Sequence, residues 1–135
     1  MVKLGMTIDS KILLFEPEPV LRQRILKLLR ENLAHAQCRA AENFDDIQGF
    51  LRTTMFDLLI VDFSQLGPEG LQHLRILRAQ MPHLPILALG LMAEPPYEKA
   101  TKLAGATRFL SKAKLQELPN EVTSMLGNDQ AVSGD

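Results

Sequence analysis

The chain has 135 residues, 46% of them hydrophobic, with 15 lysines and arginines against 16 aspartates and glutamates. That length suits one domain with a continuous core, and the near-neutral balance leaves no electrostatic footprint for nucleic acid or an anionic membrane surface. One cysteine, Cys38, excludes a disulfide framework, and no apolar run reaches the roughly 18–20 residues of a membrane span, so a soluble cytoplasmic protein is expected.

Residues 1–10 read as an N-terminal extension. Ile12-Leu13-Leu14-Phe15 is a short apolar run stopped by Glu16-Pro17-Glu18-Pro19, which predicts a buried strand and then a loop. Leu21, Ile25, Leu28 and Leu29 recur at helical spacing, with Pro19 near the start, and this helix is expected to end around Asn32 to Leu33. Residues 36–41 form a weaker, alternating strand in which Cys38 is a small buried hydrophobe. Phe44, Ile47, Phe50 and Leu51 repeat as a second helix, closed by Thr53-Thr54. Glu42, Asp45 and Asp46 at its start complement the helix dipole.

Asp57 to Val61 is the third strand, Phe63 to Gly70 a loop by composition, and Leu71, Leu74, Leu77 and Met81 make a third helix that stops at Pro82. Pro85 to Leu89 is the fourth strand. Pro95-Pro96 opens a fourth helix carrying Tyr97, Ala100 and Leu103, Gly105 caps its end, and Thr107 to Leu110 is the fifth strand. Pro119 opens a short last helix with Val122, Met125 and Leu126. Residues 127–135 are too polar to pack and predict a linker or tail, which leaves 11–126 as the folded domain.

Five alternations of strand and helix call for a parallel sheet covered on both faces, with its functional crevice at the carboxyl ends of the strands. Glu16, Asp62 and Lys112 each follow a predicted strand and so belong to that edge. His35, His73 and His83 have no ligand spacing and read as surface residues, and Met55, Met81, Met92 and Met125 read as core fillers. Gly67 and Gly70 are too widely spaced for a phosphate cradle, and no nucleotide-binding fingerprint is present.

Three segments carry a resemblance: Phe56-Asp57-Leu58-Leu59-Ile60-Val61-Asp62 with Gly67 and Gly70 after it, Leu84-Pro85-Ile86-Leu87-Ala88-Leu89, and Gly105-Ala106-Thr107-Arg108-Phe109-Leu110-Ser111-Lys112. Together they resemble the receiver domain of bacterial response regulators over residues 11–126. The resemblance implies a flavodoxin-like α/β fold, a five-stranded parallel sheet in the order 2-1-3-4-5. It implies that Asp62 is the phosphoacceptor, taking a phosphoryl group from a phosphohistidine donor. A carboxylate serves because phosphoryl transfer chiefly demands in-line placement and cancellation of charge. In the same terms Glu16, Asp62 and the backbone carbonyl of Ser64 would ligate Mg²⁺, Lys112 would contact the phosphate, and Phe109 would be the aromatic switch. The implied partners are an output domain or partner protein, a histidine kinase and a second copy of the chain, with no membrane and no direct nucleic-acid contact.

Two positions depart from the family pattern. Mg²⁺ needs a near-octahedral oxygen shell, and the acidic pair expected after the first strand reads Glu16-Pro17, so one ligand has no oxygen to give. Glu18 is the nearest substitute, but Pro17 and Pro19 on either side restrict it. Gly90 stands where the family has a Thr or Ser hydroxyl for the phosphoryl group, and a ligand without differential contacts shifts no population. Lys112 is then available to pair with Asp62. The expectation is an atypical receiver that is not an enzyme and needs no cofactor beyond weakly held Mg²⁺. It would act as a protein-interaction module with weak or no phosphorylation dependence. The alternative is a conventional phosphoryl-accepting receiver with an altered Mg²⁺ site, and a third is a flavodoxin-like enzyme or ligand binder using the same crevice. Lys99, Lys102 and Arg108 mark a positive, solvated face of the kind receivers use for dimers or output domains.

Overall fold

The computed structural model describes residues 9–91 and 94–134. Strands β1 (Ser10–Phe15), β2 (Ala36–Ala41), β3 (Leu58–Val61), β4 (Ile86–Gly90) and β5 (Arg108–Ser111) form one parallel sheet, ordered β2-β1-β3-β4-β5. They alternate with α1 (Pro19–Asn32), α2 (Phe44–Thr53), α3 (Pro68–Gln80), α4 (Pro95–Ala104) and α5 (Leu118–Gly134). The order is the one the resemblance implies.

The strand period of two explains why the three central strands are apolar throughout. Ile12, Leu14, Leu58, Ile60, Leu87 and Leu89 face α1 and α5, while Leu13, Phe15, Leu59, Val61, Ile86 and Ala88 face the opposite layer with Ile47 of α2 and Leu74 and Leu77 of α3. Each fully buried aliphatic side chain contributes roughly 1.5–3 kcal/mol, so β3, buried at all four positions, is a main anchor of the sheet. Edge strand β2 alternates between half-buried and exposed positions, which is why its pattern is weaker. Among the described residues no helix is long and apolar enough to cross a membrane.

Local chemistry fixes the helix starts. Asn43 caps α2, its Oδ1 accepting from the Asp46 amide at 2.8 Å, and the Asp46 carboxylate accepts from the Glu42 amide at 2.9 Å. The stretch expected as a loop after β3 is more ordered than its composition indicates. It holds a 3-10 turn at Ser64–Leu66, and α3 begins already at Pro68, because Gly67 at φ 60 breaks the chain and proline suits the first helical position. At Gly70 an added Cβ would lie 2.3 Å from the Phe63 carbonyl oxygen, so the start of α3 rests directly on the turn after β3.

Arg78 ties three elements together. Its guanidinium donates to the carbonyls of Gly105 (2.9 Å), Met81 (2.9 Å) and Pro82 (3.1 Å) and to Thr107 Oγ1 (3.3 Å), joining the end of α3 to the cap of α4 and the approach to β5.

Several expectations need correction. Helix α5 runs to Gly134, so the stretch expected as a polar linker or tail from Gly127 is helical through residue 134, with no proline to stop it. Strand β1 starts at Ser10, inside the expected extension, and residues 1–8 lie outside the described ones. Met55 is 88% exposed and fills no core, since it sits in the turn between α2 and β3; Met125 is buried, and Met92 lies outside the described residues. His73 is half-buried, stacked on Phe44 at 3.9 Å between ring centroids, because its imidazole meets the aromatic cluster of Phe44 and Phe63.

Candidate functional site

Parallel register brings the first two charges together. Phe15 of β1 pairs with Val61 of β3, and the Asp62 amide donates to the Phe15 carbonyl at 2.9 Å, so Glu16 and Asp62 leave the sheet side by side. Lys112 follows Ser111, the last residue of β5, and reaches back past the end of β4 to both carboxylates. Its Nζ lies 3.0 and 3.3 Å from the two Glu16 oxygens and is paired with Asp62 Oδ2. The lysine side chain is 8% exposed and both carboxylates 0%, so this is an internal triad, not a solvated pair.

Asp62 is engaged on both oxygens. Oδ1 accepts from the Ser64 amide at 2.7 Å and from the Ser64 hydroxyl at 2.5 Å, while Lys112 meets Oδ2. Ser64, for which the resemblance implied a carbonyl ligand role, therefore acts on Asp62 through its amide and hydroxyl.

One ammonium serving two buried carboxylates sets the protonation preferences. Burial pushes the Glu16 carboxyl above its ordinary value, and donation from the Glu18 amide and Lys112 only partly opposes this. Burial pulls Lys112 down, but Asp62 and then Glu16 outweigh it, so the ammonium is held above its ordinary range. A simple Glu–Lys pair would lower the acid while raising the base. Here burial outweighs the shared cation at Glu16, so its carboxyl holds a proton to higher pH than an ordinary glutamate.

The loop after β1 is tied down at every point. The Glu18 carboxylate caps α1, accepting from the amides of Leu21 (2.8 Å) and Val20 (3.4 Å). Arg22 donates to the carbonyls of Glu16 (3.0 Å) and Pro17 (3.4 Å). Glu18 is thus spent on the helix, Pro17 offers no side-chain oxygen, and the remaining two carboxylates already enclose an ammonium. Among the described residues no group of three or more His, Cys, Asp or Glu could hold a metal ion. This donor set does not fit the Mg²⁺ that the family implies.

Gly90 and Phe109 lie together at the neighbouring strand ends. An added Cβ on Gly90 would stand 2.7 Å from Phe109 Cζ and 2.8 Å from its Cε1, so the ring covers the glycine. Tyr97, in the first turn of α4, meets Phe109 edge-on at 5.9 Å. An open cleft of about 290 Å³ lies beside the triad, lined by Ser64, Gln65, Leu91, Glu94, Tyr97 and Lys112. Burial and the Asp62 charge push the Tyr97 phenol up to about 12. Sequence reading placed Tyr97 only as an apolar helix residue; its position directly after Pro95-Pro96, at the same sheet edge as Asp62, was the available signal.

The positive face around α4 and β5 is partly neutralised: Lys102 pairs with Glu98 at 3.1 Å, and Arg108 with Glu121 at 3.2 Å. Lys99 is exposed there, as is Leu103 at 78%.

The model of the response regulator receiver domain matches residues 12–123. Fimbriae Z protein of Salmonella typhimurium is 28% identical over 118 residues, covering 87% of this chain and 56% of that protein. Transcriptional activator protein ExaE of Pseudomonas putida is 31% identical over 102 residues, covering 76% of this chain and 48% of that protein. The chain spans about half the length of these curated relatives. A response regulator from Thermotoga maritima superposes with a TM-score of 0.80 at 20% identity, over 89% of this chain and 99% of that one. The receiver domain of a Francisella response regulator gives 0.78 at 20% identity, over 90% and 99%. Those two structures speak for the fold. Receiver domains are signalling modules that pair with output domains or kinases. With 112 of its 135 residues inside the family match (residues 12 through 123), the chain belongs to the response regulator receiver domain family.

Proposed function

We propose that this domain is an atypical receiver that signals by contact with a partner protein or output domain, with little or no dependence on phosphorylation of Asp62. The observation that carries this reading is the buried triad. Lys112 lies between the two carboxylates that a divalent ion would need, and Pro17 withholds a further ligand. Without the metal, charge on an incoming phosphoryl group goes uncancelled. Gly90, having no hydroxyl, makes no contact that would distinguish a phosphorylated from an unphosphorylated pocket.

In this reading the domain turns over no substrate and needs no cofactor. Its task is to present a surface, and the α4–β5 side with exposed Leu103 and Lys99 is where a second copy or an output domain docks. The name of one curated relative, a transcriptional activator, favours a regulator of transcription as the whole protein. A histidine kinase remains a binding partner in this scheme through the cleft edge, without productive transfer.

Incubation with Mg²⁺ and a small acyl-phosphate donor tests the reading, followed by intact-mass measurement and sedimentation velocity. The expected result is no stoichiometric phosphoryl adduct and an unchanged oligomeric state. Acid-labile phosphate on Asp62 accompanied by a changed assembly would establish the conventional phospho-switch instead.

A further inference from the structure

Gly90 ends β4 with an ordinary negative φ; among the described glycines only Gly67 and Gly105 need the left-handed region. Its lack of a side chain therefore serves space and not backbone conformation. The space is filled by the tip of the Phe109 ring, which would meet an added Cβ at 2.7 and 2.8 Å, closer than such atoms approach in real proteins. Tyr97 closes the same spot from the other side, its Cε2 standing 3.2 Å from that Cβ position and its ring edge-on to Phe109 at 78°.

We propose that Gly90 makes room for a permanent aromatic lock, in which the Phe109 ring lies across the end of β4 and pins Tyr97, holding the first turn of α4 in one conformation whatever the chemical state of Asp62. The first turn depends on this contact because the N-cap residue, Glu94, makes no side-chain capping bond. Glu94 and Leu91 are exposed, so among the described residues the aromatic pair joins this end of α4 to the sheet. A side chain at position 90 and an inward Phe109 compete for one volume. Packed interiors accept one arrangement or the other, not a mixture. The lock deepens the phosphate-independent reading above and rests on it, since it removes the movable part that phosphorylation would drive.

A double-mutant cycle of Gly90→Ala with Phe109→Ala, read by urea denaturation, tests the lock. Gly90→Ala should lower the folding equilibrium constant by about tenfold or more in the wild-type background, as overpacking does. It should lower it less than about threefold once the ring is gone, which is the signature of two groups in direct contact. Equal effects in both backgrounds overturn the lock. The second measurement needs no destabilised variant: the Gly90 Hα resonances of wild type carry a ring-current shift from Phe109, and this shift should persist in Asp62→Asn. Its absence in wild type, or its loss in Asp62→Asn, also overturns the proposal. The two readings fail separately. Phosphate on Asp62 with the Gly90 shift intact defeats only the phosphate-independent reading, and an additive cycle with no phosphorylation defeats only the lock.

Discussion

Replacing Lys112 by methionine removes the one cation shared by Glu16 and Asp62 while keeping a side chain of similar length. Both carboxylates are 0% exposed, so each would face the other without solvent to screen it. Removing one partner from a buried ion pair costs about 3–5 kcal/mol, a large part of the roughly 5–15 kcal/mol that holds a domain of this size folded. With a urea slope of about 2 kcal/mol per molar, the unfolding midpoint should fall by roughly 2 M at neutral pH. The loss should shrink in acid, where Glu16 takes a proton. It should largely disappear in the neutral triple variant Lys112→Met, Glu16→Gln, Asp62→Asn, because neutral groups of similar shape leave no buried charge unpaired. A Lys112→Met midpoint within about 0.3 M of wild type would refute the triad as an energetic unit.

Three further expectations follow from the same geometry. Glu16 has a folded-state value above its ordinary 4.5, so between 4.5 and that raised value the native chain keeps a proton that the unfolded chain has released. Stability should therefore fall as pH rises through this window, and Glu16→Gln should flatten the slope and be at least as stable as wild type at neutral pH; parallel pH profiles from urea titrations would contradict this. Lys112 adds nothing to that window, since its raised value places its own loss of stability above 10.5. Arg78→Ala, which deletes four hydrogen bonds joining α3, the α4 cap and the approach to β5, should cost about 2–3 kcal/mol and abolish exchange protection of the Ala106 and Thr107 amides. A cost below about 0.5 kcal/mol would show the bonds to be idle. Pro17→Asp restores an oxygen beside Glu16 and should bring Mg²⁺ binding into calorimetric range where wild type shows none, whereas a variant as silent as wild type would show that Pro17 is not what empties the site.

The sheet was legible because its signals are local. Ile12 to Phe15 and Leu58 to Val61 are unbroken apolar runs, as strands buried on both faces must be, and the turn residues after them mark where Glu16 and Asp62 emerge. Lys112 after the fifth strand was legible for the same reason. The pairing of Lys112 with Asp62 was expected and is present, but the second partner, Glu16, was not legible. A lysine long enough to reach two carboxylates and a glutamate drawn into capping α1 depend on side-chain conformations that leave no periodic trace in sequence. Met55 and His73 escaped for a related reason: an exposed turn and an aromatic cluster are products of tertiary placement. The length of α5 escaped because residues 127–134 carry no apolar periodicity that would mark a helix.

Titration of the wild-type protein with Mg²⁺, followed through the amide resonances of Glu16, Asp62, Phe63 and Ser64, bears most directly on whether an internal lysine has replaced the cation of this pocket. The expected result is no saturable shift at any of these amides through the millimolar range. Saturable shifts confined to them, with displacement of the Lys112 ammonium from Asp62, would contradict it.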